Sequence, residues 1–297
     1  MVETFIDIGS NSIKYICIDK SSDSYKLLLH GNLPNRISNH ILTSQLFSEE
    51  DIQNTALCLH SIKDKSSVFH SEEYYAVGTM AFRKALNADE MCETVFQETG
   101  IKIQILKPEE EALLSYQAVI HDFPDMTNSL IFNIGGGSTE FIYSHDTSHY
   151  DLMSLDIGAV VLKNKFMEDT KTPDILSCIS YLEDQFLNLP DFNPQRLIGS
   201  GGTISSALRL AGRMKKYDFQ SLHHQPLTLI MLDQLITILS TRYHSGLILE
   251  EYIPASHADI LLPGLLIVRQ IMILFHFQEL TSCEKGLVFA LIDYKDR

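Results

Sequence analysis

Two short apolar runs, at residues 130–134 and 141–143, enclose a turn that contains three glycines. Apolar runs of this length on either side of a turn predict a strand, a tight turn and a second strand. Glycine lacks a Cβ and can adopt positive φ, so the backbone of Gly135, Gly136 and Gly137 can approach a ligand closely. Successive N–H groups in such a turn suit an oxyanion, and Ser138 and Thr139 add hydroxyl donors. An ordinary glycine-rich hairpin is the alternative interpretation.

The same pattern occurs near the start of the chain. Residues 7–12 (DIGSNS) align with residues 133–138 (NIGGGS), 126 positions later, and apolar runs flank both segments. The repeat predicts two similarly built domains, residues 1–124 and 125–297, with a terminal helix at about 284–297 that could pack back on the first. We expect the glycine turns to face a cleft between the domains, where ligands commonly bind. A coincidence of two similar turns is the alternative.

A third glycine turn, at residues 199–203 (GSGGT), follows an apolar run and opens a helix. Backbone N–H groups at such a helix start favour an anion. The helix is predicted to carry Arg209 and Arg213 on one face and to end in Lys215 and Lys216. These four residues either complement the helix dipole or form a track for a long polyanion.

Strands alternate with helices along the chain, which predicts an α/β fold. The most apolar tract, residues 260–277, contains Pro263 and Gly264 and is interpreted as a buried pair of helices rather than a membrane span. The five cysteines are widely spaced and form no CxxC pair, and the chain starts without a signal-peptide pattern. These features predict a cytoplasmic protein with free thiols.

The net charge of the 297-residue chain is −15. Such a charge argues against broad binding to nucleic acid or to anionic membranes, since the summed field repels both. An anionic ligand therefore needs local donors, a basic side chain or a metal ion.

Arg83 and a run of carboxylates offer such chemistry. Arg83 lies about one turn into a predicted helix, where a guanidinium can reach an anion, although a solvated arginine fits the same pattern. Glu109, Glu110 and Glu111 follow Pro108 at a predicted helix start, where carboxylates commonly complement the dipole. The functional alternative is that one of them acts as a base toward a water molecule.

These motifs together resemble the exopolyphosphatase / guanosine pentaphosphate phosphatase (Ppx/GppA) family, a branch of the actin-like ATPase-domain superfamily. The resemblance covers nearly the whole chain and includes DIGSNS (7–12), VGTMAFRKALN (77–87), EEEALLSYQAV (109–119), IGGGSTE (134–140), SLDIGAVVL (154–162), GSGGT (199–203) and HADILLPGLLI (257–267). It implies two ribonuclease-H-like domains with an interdomain cleft, as in the short members of the family.

The resemblance also implies Mg²⁺-dependent (or Mn²⁺-dependent) hydrolysis of a terminal phosphoanhydride. It assigns the general base to Glu111 and places Asp7 and Glu140 near the metal or the water. The implied phosphate-binding residues are Gly9, Ser10, Asn11, Ser12, Arg83, Gly135, Gly136, Gly137, Ser138 and Thr139. Gly201 and Gly202 of the third turn are predicted to bind phosphate from the pattern of a glycine turn that opens a helix. A homodimer is a further possibility that rests on the family likeness and on the apolar tract.

The chain departs from the family pattern at Asn133, where the family usually has aspartate, and at Val161 and His257, where it often has arginine. The leading hypothesis is release of terminal phosphate from inorganic polyphosphate. Guanosine pentaphosphate 5′-phosphatase activity is an alternative, as is a non-catalytic regulator that binds guanosine tetra- or pentaphosphate or polyphosphate. A sugar-kinase-like or chaperone-like ATPase is a further alternative, and fast ATP hydrolysis would identify it.

Overall fold

A computed structural model describes residues 1–21, 24–35, 37, 41, 44–120, 122–123, 125–146, 149–167, 173–241, 251–253 and 255–295. The chain divides into two compact units. The first comprises Met1–Ala118 together with Leu287–Arg297, and the second comprises Val119–Gly286. Each unit is built on one β-sheet with its own apolar core.

The first unit contains a five-stranded sheet with the order β3-β2-β1-β4-β5. Its strands are β1 (Val2–Ile8), β2 (Ser12–Lys20), β3 (Tyr25–Pro34), β4 (Glu73–Gly78) and β5 (Ile103–Ile105). Its helices are α1 (Glu49–Ser67), α2 (Met80–Lys84), α3 (Ala88–Thr99), α4 (Pro108–Ile120), which runs across the boundary, and the terminal α12 (Leu287–Tyr294). β1 pairs antiparallel with β2 and parallel with β4.

The second unit contains a six-stranded sheet with the order β10-β11-β9-β6-β7-β8. Its strands are β6 (Ser129–Ile134), β7 (Thr139–Ser144), β8 (Tyr150–Leu155), β9 (Arg196–Ser200), β10 (Pro226–Thr228) and β11 (Glu279–Cys283). Its helices are α5 (Ala159–Phe166), α6 (Ile175–Phe186), α7 (Gly202–Ala211), α8 (Phe219–Leu222), α9 (Leu229–Thr241), α10 (Ala255–Ala258) and α11 (Leu261–Leu274).

The two sheets share one topology. In both, an antiparallel meander of three strands (β1-β2-β3 and β6-β7-β8) continues through its first strand into parallel partners (β4 and β9). The predicted α/β class with two ribonuclease-H-like sheets is therefore confirmed. The first strand of each meander is central and almost wholly buried, as expected for a strand covered on both faces.

The terminal helix α12 belongs to the first unit. Lys295, just after it, makes an ion pair with Glu3 of β1, and the Tyr294 hydroxyl donates to Glu110 Oε1 at 3.1 Å. The Glu3 side chain is 1% exposed, so this ion pair is buried.

The apolar tract at residues 260–277 forms one continuous helix, α11, where two were predicted. Pro263 is the third residue of this helix, a position whose N–H has no partner within the helix, so proline does not break it. Most of α11 is buried in the core of the second unit, so the tract offers no support for a homodimer, which stays a prediction. Among the described residues no helix combines the length and apolar character needed to cross a bilayer.

Candidate functional site

The turn of the first hairpin, between β1 and β2, is closed by a backbone hydrogen bond. Gly9 N–H donates to Ser12 O at 3.0 Å. Asn35, which is not part of the turn, donates its N–H to Asn11 O at 3.0 Å. A Cβ on Gly9 would lie 3.0 Å from Ser12 O, closer than side chains normally come. Ser10 is buried at the tip of this turn. Residues 9–12 thus form a compact, fixed turn at the end of the central strand.

The turn of the second hairpin, between β6 and β7, repeats this geometry. Gly135 N–H donates to Ser138 O at 2.9 Å, the counterpart of the Gly9–Ser12 bond. Thr139 Oγ1 donates to Ile157 O at 2.5 Å, which ties the turn to the segment before α5. The predicted match between the two hairpins is confirmed in strand pairing and in turn geometry.

The N-terminus of α5 packs against the second turn. Ala159 N–H donates to Gly135 O at 3.0 Å, and Val160 N–H donates to Gly136 O at 2.9 Å. In a trans peptide the C=O and the N–H point in opposite directions, so the N–H groups of Gly136 and Gly137 point away from α5. The turn thereby presents consecutive amide donors in the way an anion requires. This packing could not be predicted from the sequence pattern, because it depends on the close approach of Gly158, where a Cβ would come within 2.3 Å of Gly136 O.

The third glycine turn lies beside the second. Gly201 precedes α7 with φ of 100°, and a Cβ there would lie 2.8 Å from Asn133 Oδ1. A Cβ on Gly202, the first residue of α7, would lie 2.6 Å from Cε1 of the His257 ring. The second unit therefore brings together two of the three predicted turns and the unsatisfied N–H groups at the start of α7. Whether they meet the turn at residues 9–12 stays a prediction.

Arg83 and Glu111 form an ion pair in the first unit. Arg83 Nη1 lies 2.6 Å from Glu111 Oε2 and also donates to Leu106 O at 3.0 Å. The two side chains are 22% and 11% exposed. Burial raises the pKa of Glu111, and the positive charge and hydrogen bond of Arg83 work against that rise. The predicted base is thus held in one orientation by the predicted phosphate-binding arginine, a pairing that the sequence did not reveal.

The three carboxylates at the start of α4 have different surroundings. Glu109 is exposed, and Glu110 caps the helix by accepting from Lys107 N–H at 2.8 Å. Glu111 is buried. Helix capping therefore explains Glu110, whereas the buried and paired Glu111 has the environment expected of a tuned functional carboxylate.

Asp7 is a buried carboxylate at the end of β1. Its Oδ1 has no hydrogen-bond partner in the described part of the chain. Burial raises the pKa of Asp7 to about 6, while Lys14 lowers it and the negative charge of Glu111 raises it. A buried carboxylate oxygen without a donor fits a Mg²⁺ ligand, since oxygen donors are what this ion prefers.

Glu140 has different surroundings. Ser138 Oγ donates to its Oε1 at 2.5 Å, and Asn133 Nδ2 donates to its Oε2 at 3.3 Å. Both oxygens thus already accept hydrogen bonds, so Glu140 does not fit a resident metal as Asp7 does. Among the described residues, no group of three or more histidine, cysteine, aspartate or glutamate side chains is arranged to hold a metal ion. The role of Asp7 and Glu140 toward a metal stays a prediction.

The prediction that Arg209 and Arg213 lie on one face of α7 is wrong. The helix ends at Ala211, and Arg213 follows with φ of 51°, so Arg209 and Arg213 do not share a helical face. Gly212 caps the helix, so that Arg213, Lys215 and Lys216 lie beyond its end. Arg209 is buried and donates to Lys215 O at 3.1 Å, and Lys215 pairs with Glu251. The polyanion track, which also included Lys216, stays a prediction without the helical geometry first assigned to it.

Two ribonuclease-H-like sheets with matched glycine turns define a two-unit α/β protein. The chain belongs to the Ppx/GppA phosphatase family, whose model matches residues 16–292. It is 27% identical over 286 residues to the bifunctional 3-dehydroquinate synthase/phosphatase of Fusobacterium nucleatum. That match covers 90% of this chain and 42% of the longer protein, so the chain spans less than half the length of that relative.

A Haemophilus influenzae relative, provisionally named an exopolyphosphatase, is 24% identical, and the match covers 96% of this chain and 90% of that protein. The crystal structure of an exopolyphosphatase from Cytophaga hutchinsonii is similar with a TM-score of 0.87 and 20% identity, covering 99% of this chain and 97% of that one. At this identity the structural likeness supports the fold alone.

Proposed function

We propose that this protein releases terminal phosphate from inorganic polyphosphate in a Mg²⁺-dependent reaction. The observation that carries the proposal is the buried carboxylate of Glu111, which Arg83 holds 2.6 Å from its guanidinium. Membership of a phosphatase family and the relative named an exopolyphosphatase support the same reaction class.

Glu111 is the group that accepts a proton from the attacking water. Arg83 contacts Oε2, which fixes the carboxylate plane and leaves Oε1 as the atom to orient the water. A guanidinium carries five N–H donors, so Arg83 can keep this bond and also donate to a phosphate oxygen.

The glycine turns bind the phosphate chain through backbone amides. Terminal phosphoryl transfer passes through a loose, highly charged state, so fixed N–H donors aimed at the phosphate oxygens stabilise it. The amides of Gly136 and Gly137 and the start of α7 supply such donors in the second unit. No covalent nucleophile is required, because the water attacks the terminal phosphorus directly while the bond from that phosphorus to the bridging oxygen breaks and the shortened polyphosphate leaves.

Asp7 is the residue that would hold Mg²⁺ in the first unit. Bound there, the ion would neutralise part of the charge on the phosphate oxygens. Within the described residues Asp7 Oδ1 has no hydrogen-bond partner, and this supports the assignment.

A phosphate-release assay tests the proposal. Purified protein should release phosphate from polyphosphate with Mg²⁺ or Mn²⁺, and guanosine pentaphosphate in the same mixture should compete if both bind at one site. Absence of phosphate release from either substrate with Mg²⁺, Mn²⁺ or Zn²⁺ would remove the proposal. Tight binding of either compound without release would favour a regulator instead.

A further inference from the structure

Asn133 lies between two polar partners at the end of β6. In the sheet register it is the cross-strand neighbour of Glu140 on β7 and of Ser200 on β9. Its Nδ2 donates to Glu140 Oε2 at 3.3 Å, and its Oδ1 accepts from Ser200 Oγ at 3.3 Å. The side chain therefore links the ends of three strands.

The direction of these bonds suits an amide and not a carboxylate. A carboxylate such as Glu140 can only accept, so the group facing it must donate, and the NH₂ of asparagine does so. An aspartate at this position would place a second carboxylate about 3.3 Å from Glu140. Two like charges at that separation repel, so both stay ionised only if a cation lies between them, and otherwise one of them takes up a proton.

The first hairpin provides an internal comparison. The position equivalent to Asn133 is Asp7, whose cross-strand neighbour is Lys14. There a carboxylate faces an ammonium group, whereas in the second hairpin an amide faces a carboxylate. In each hairpin, therefore, the carboxylate of this cross-strand pair is opposite a residue whose side chain can donate a hydrogen bond.

Space around Asn133 is also limited. Gly201 closes over the side chain so tightly that a Cβ on Gly201 would lie 2.8 Å from Asn133 Oδ1. Glu140 itself is 4% exposed and is held on its other oxygen by Ser138. Mg²⁺ usually keeps several of its waters, and such a hydrated ion would have to displace these contacts.

We propose that Asn133 is a positioning residue that takes the place of a divalent cation at Glu140, so that the second hairpin works without a bound metal. The inference rests on the proposed function and adds that the metal ion is bound without Glu140 as a ligand. Counting bound metal requires no turnover, so a failure here is distinguishable from a failure to release phosphate.

Mn²⁺ titrations by calorimetry and electron paramagnetic resonance test the inference. Asp7→Asn serves as the background, because it removes the other candidate ligand. In this background the protein should show no saturable Mn²⁺ binding that depends on Glu140. Adding Asn133→Asp should create a Mn²⁺ site and a Mn²⁺-induced rise in melting temperature, and adding Glu140→Gln to that variant should abolish both.

Two results would overturn the inference. One is Mn²⁺ binding by the Asp7→Asn protein that Glu140→Gln removes, since Glu140 would then already be a metal ligand beside Asn133. The other is a folded Asp7→Asn/Asn133→Asp protein that gains no Mn²⁺ site. If Asn133→Asp fails to fold, as judged by circular dichroism, the comparison of Asp7→Asn with Asp7→Asn/Glu140→Gln decides alone.

Discussion

Replacing Arg83 by methionine would remove the cation from the buried carboxylate of Glu111. The pair is 2.6 Å apart with side chains 22% and 11% exposed, so little solvent can replace the lost partner. Removing one member of a buried ion pair typically costs about 3–5 kcal/mol. Because Arg83 is partly exposed, we expect the lower end, about 3 kcal/mol in the free energy of unfolding at pH 8.

The loss of unfolding free energy in Arg83→Met should depend on pH. Burial raises the pKa of Glu111, and Arg83 opposes that rise, so the variant should have a still higher pKa. A carboxyl group with a raised pKa contributes stability that is fully present below its unfolded pKa and is lost as pH rises through the folded pKa. The difference between Arg83→Met and wild type should therefore shrink as pH falls from 8 toward 5.5. Lower pH is avoided because the isoelectric point is about 5.1.

Urea unfolding followed by circular dichroism measures the difference, and amide hydrogen exchange over Pro108–Ile120 assigns it to this helix. Lys102→Met, at an exposed position of the same unit, is the matched control and should change stability little. Arg83→Met/Glu111→Gln should be more stable than Arg83→Met at pH 8, since no charge is then stranded. A destabilisation below about 1 kcal/mol, or one independent of pH, would refute the reasoning.

Three further perturbations follow from the same contacts. Asp7→Asn should abolish the rise in melting temperature that Mg²⁺ causes and lower the rate of phosphate release by at least ~10²; an unchanged Mg²⁺ dependence would count against Asp7 as a ligand. Glu3→Gln should remove the carboxylate that pairs with Lys295 and lower the stability of the first unit by about 1–3 kcal/mol in urea, whereas the exposed control Glu73→Gln should not; equal stability of both variants would contradict this. Gly158→Ala should force apart α5 and the second turn, costing about 1–3 kcal/mol and weakening polyphosphate binding measured by calorimetry, while Gly212→Ala, whose Cβ would meet no atom nearer than 3.2 Å, should retain binding; wild-type affinity in Gly158→Ala would remove the role given to that contact.

The local pattern of apolar residues and glycines was sufficient to predict the two similar hairpins. The hairpins ending at Gly9–Ser12 and Gly135–Ser138 share apolar flanks and a glycine turn, and both features are encoded within a few neighbouring residues. Strand β3 (Tyr25–Pro34) was not predicted, because this edge strand is only partly buried and lacks a clear alternation of apolar and polar residues. The end of α7 was predicted too late in the chain, because Gly212 caps the helix before Arg213, Lys215 and Lys216.

Much of the candidate site could not be predicted from the sequence, because it depends on contacts between residues that are distant along the chain. The run of glutamates at the start of α4 left three choices, and burial together with the bond from Arg83 distinguished Glu111 from its neighbours. Asn133 could be recognised from sequence as a departure from the family pattern. Its donor bond to Glu140 depends on strand register and could not be read from composition or spacing.

Phosphate release from polyphosphate by Glu111→Gln, compared with Glu109→Gln, tests the central claim most directly. Glu109 is exposed on the same first turn, so it is a matched control for charge and for helix position. The account predicts that Glu111→Gln lowers kcat by at least ~10² with little change in polyphosphate binding, as for loss of a general base, and that Glu109→Gln keeps the wild-type rate. An undiminished rate in a folded Glu111→Gln protein would contradict it.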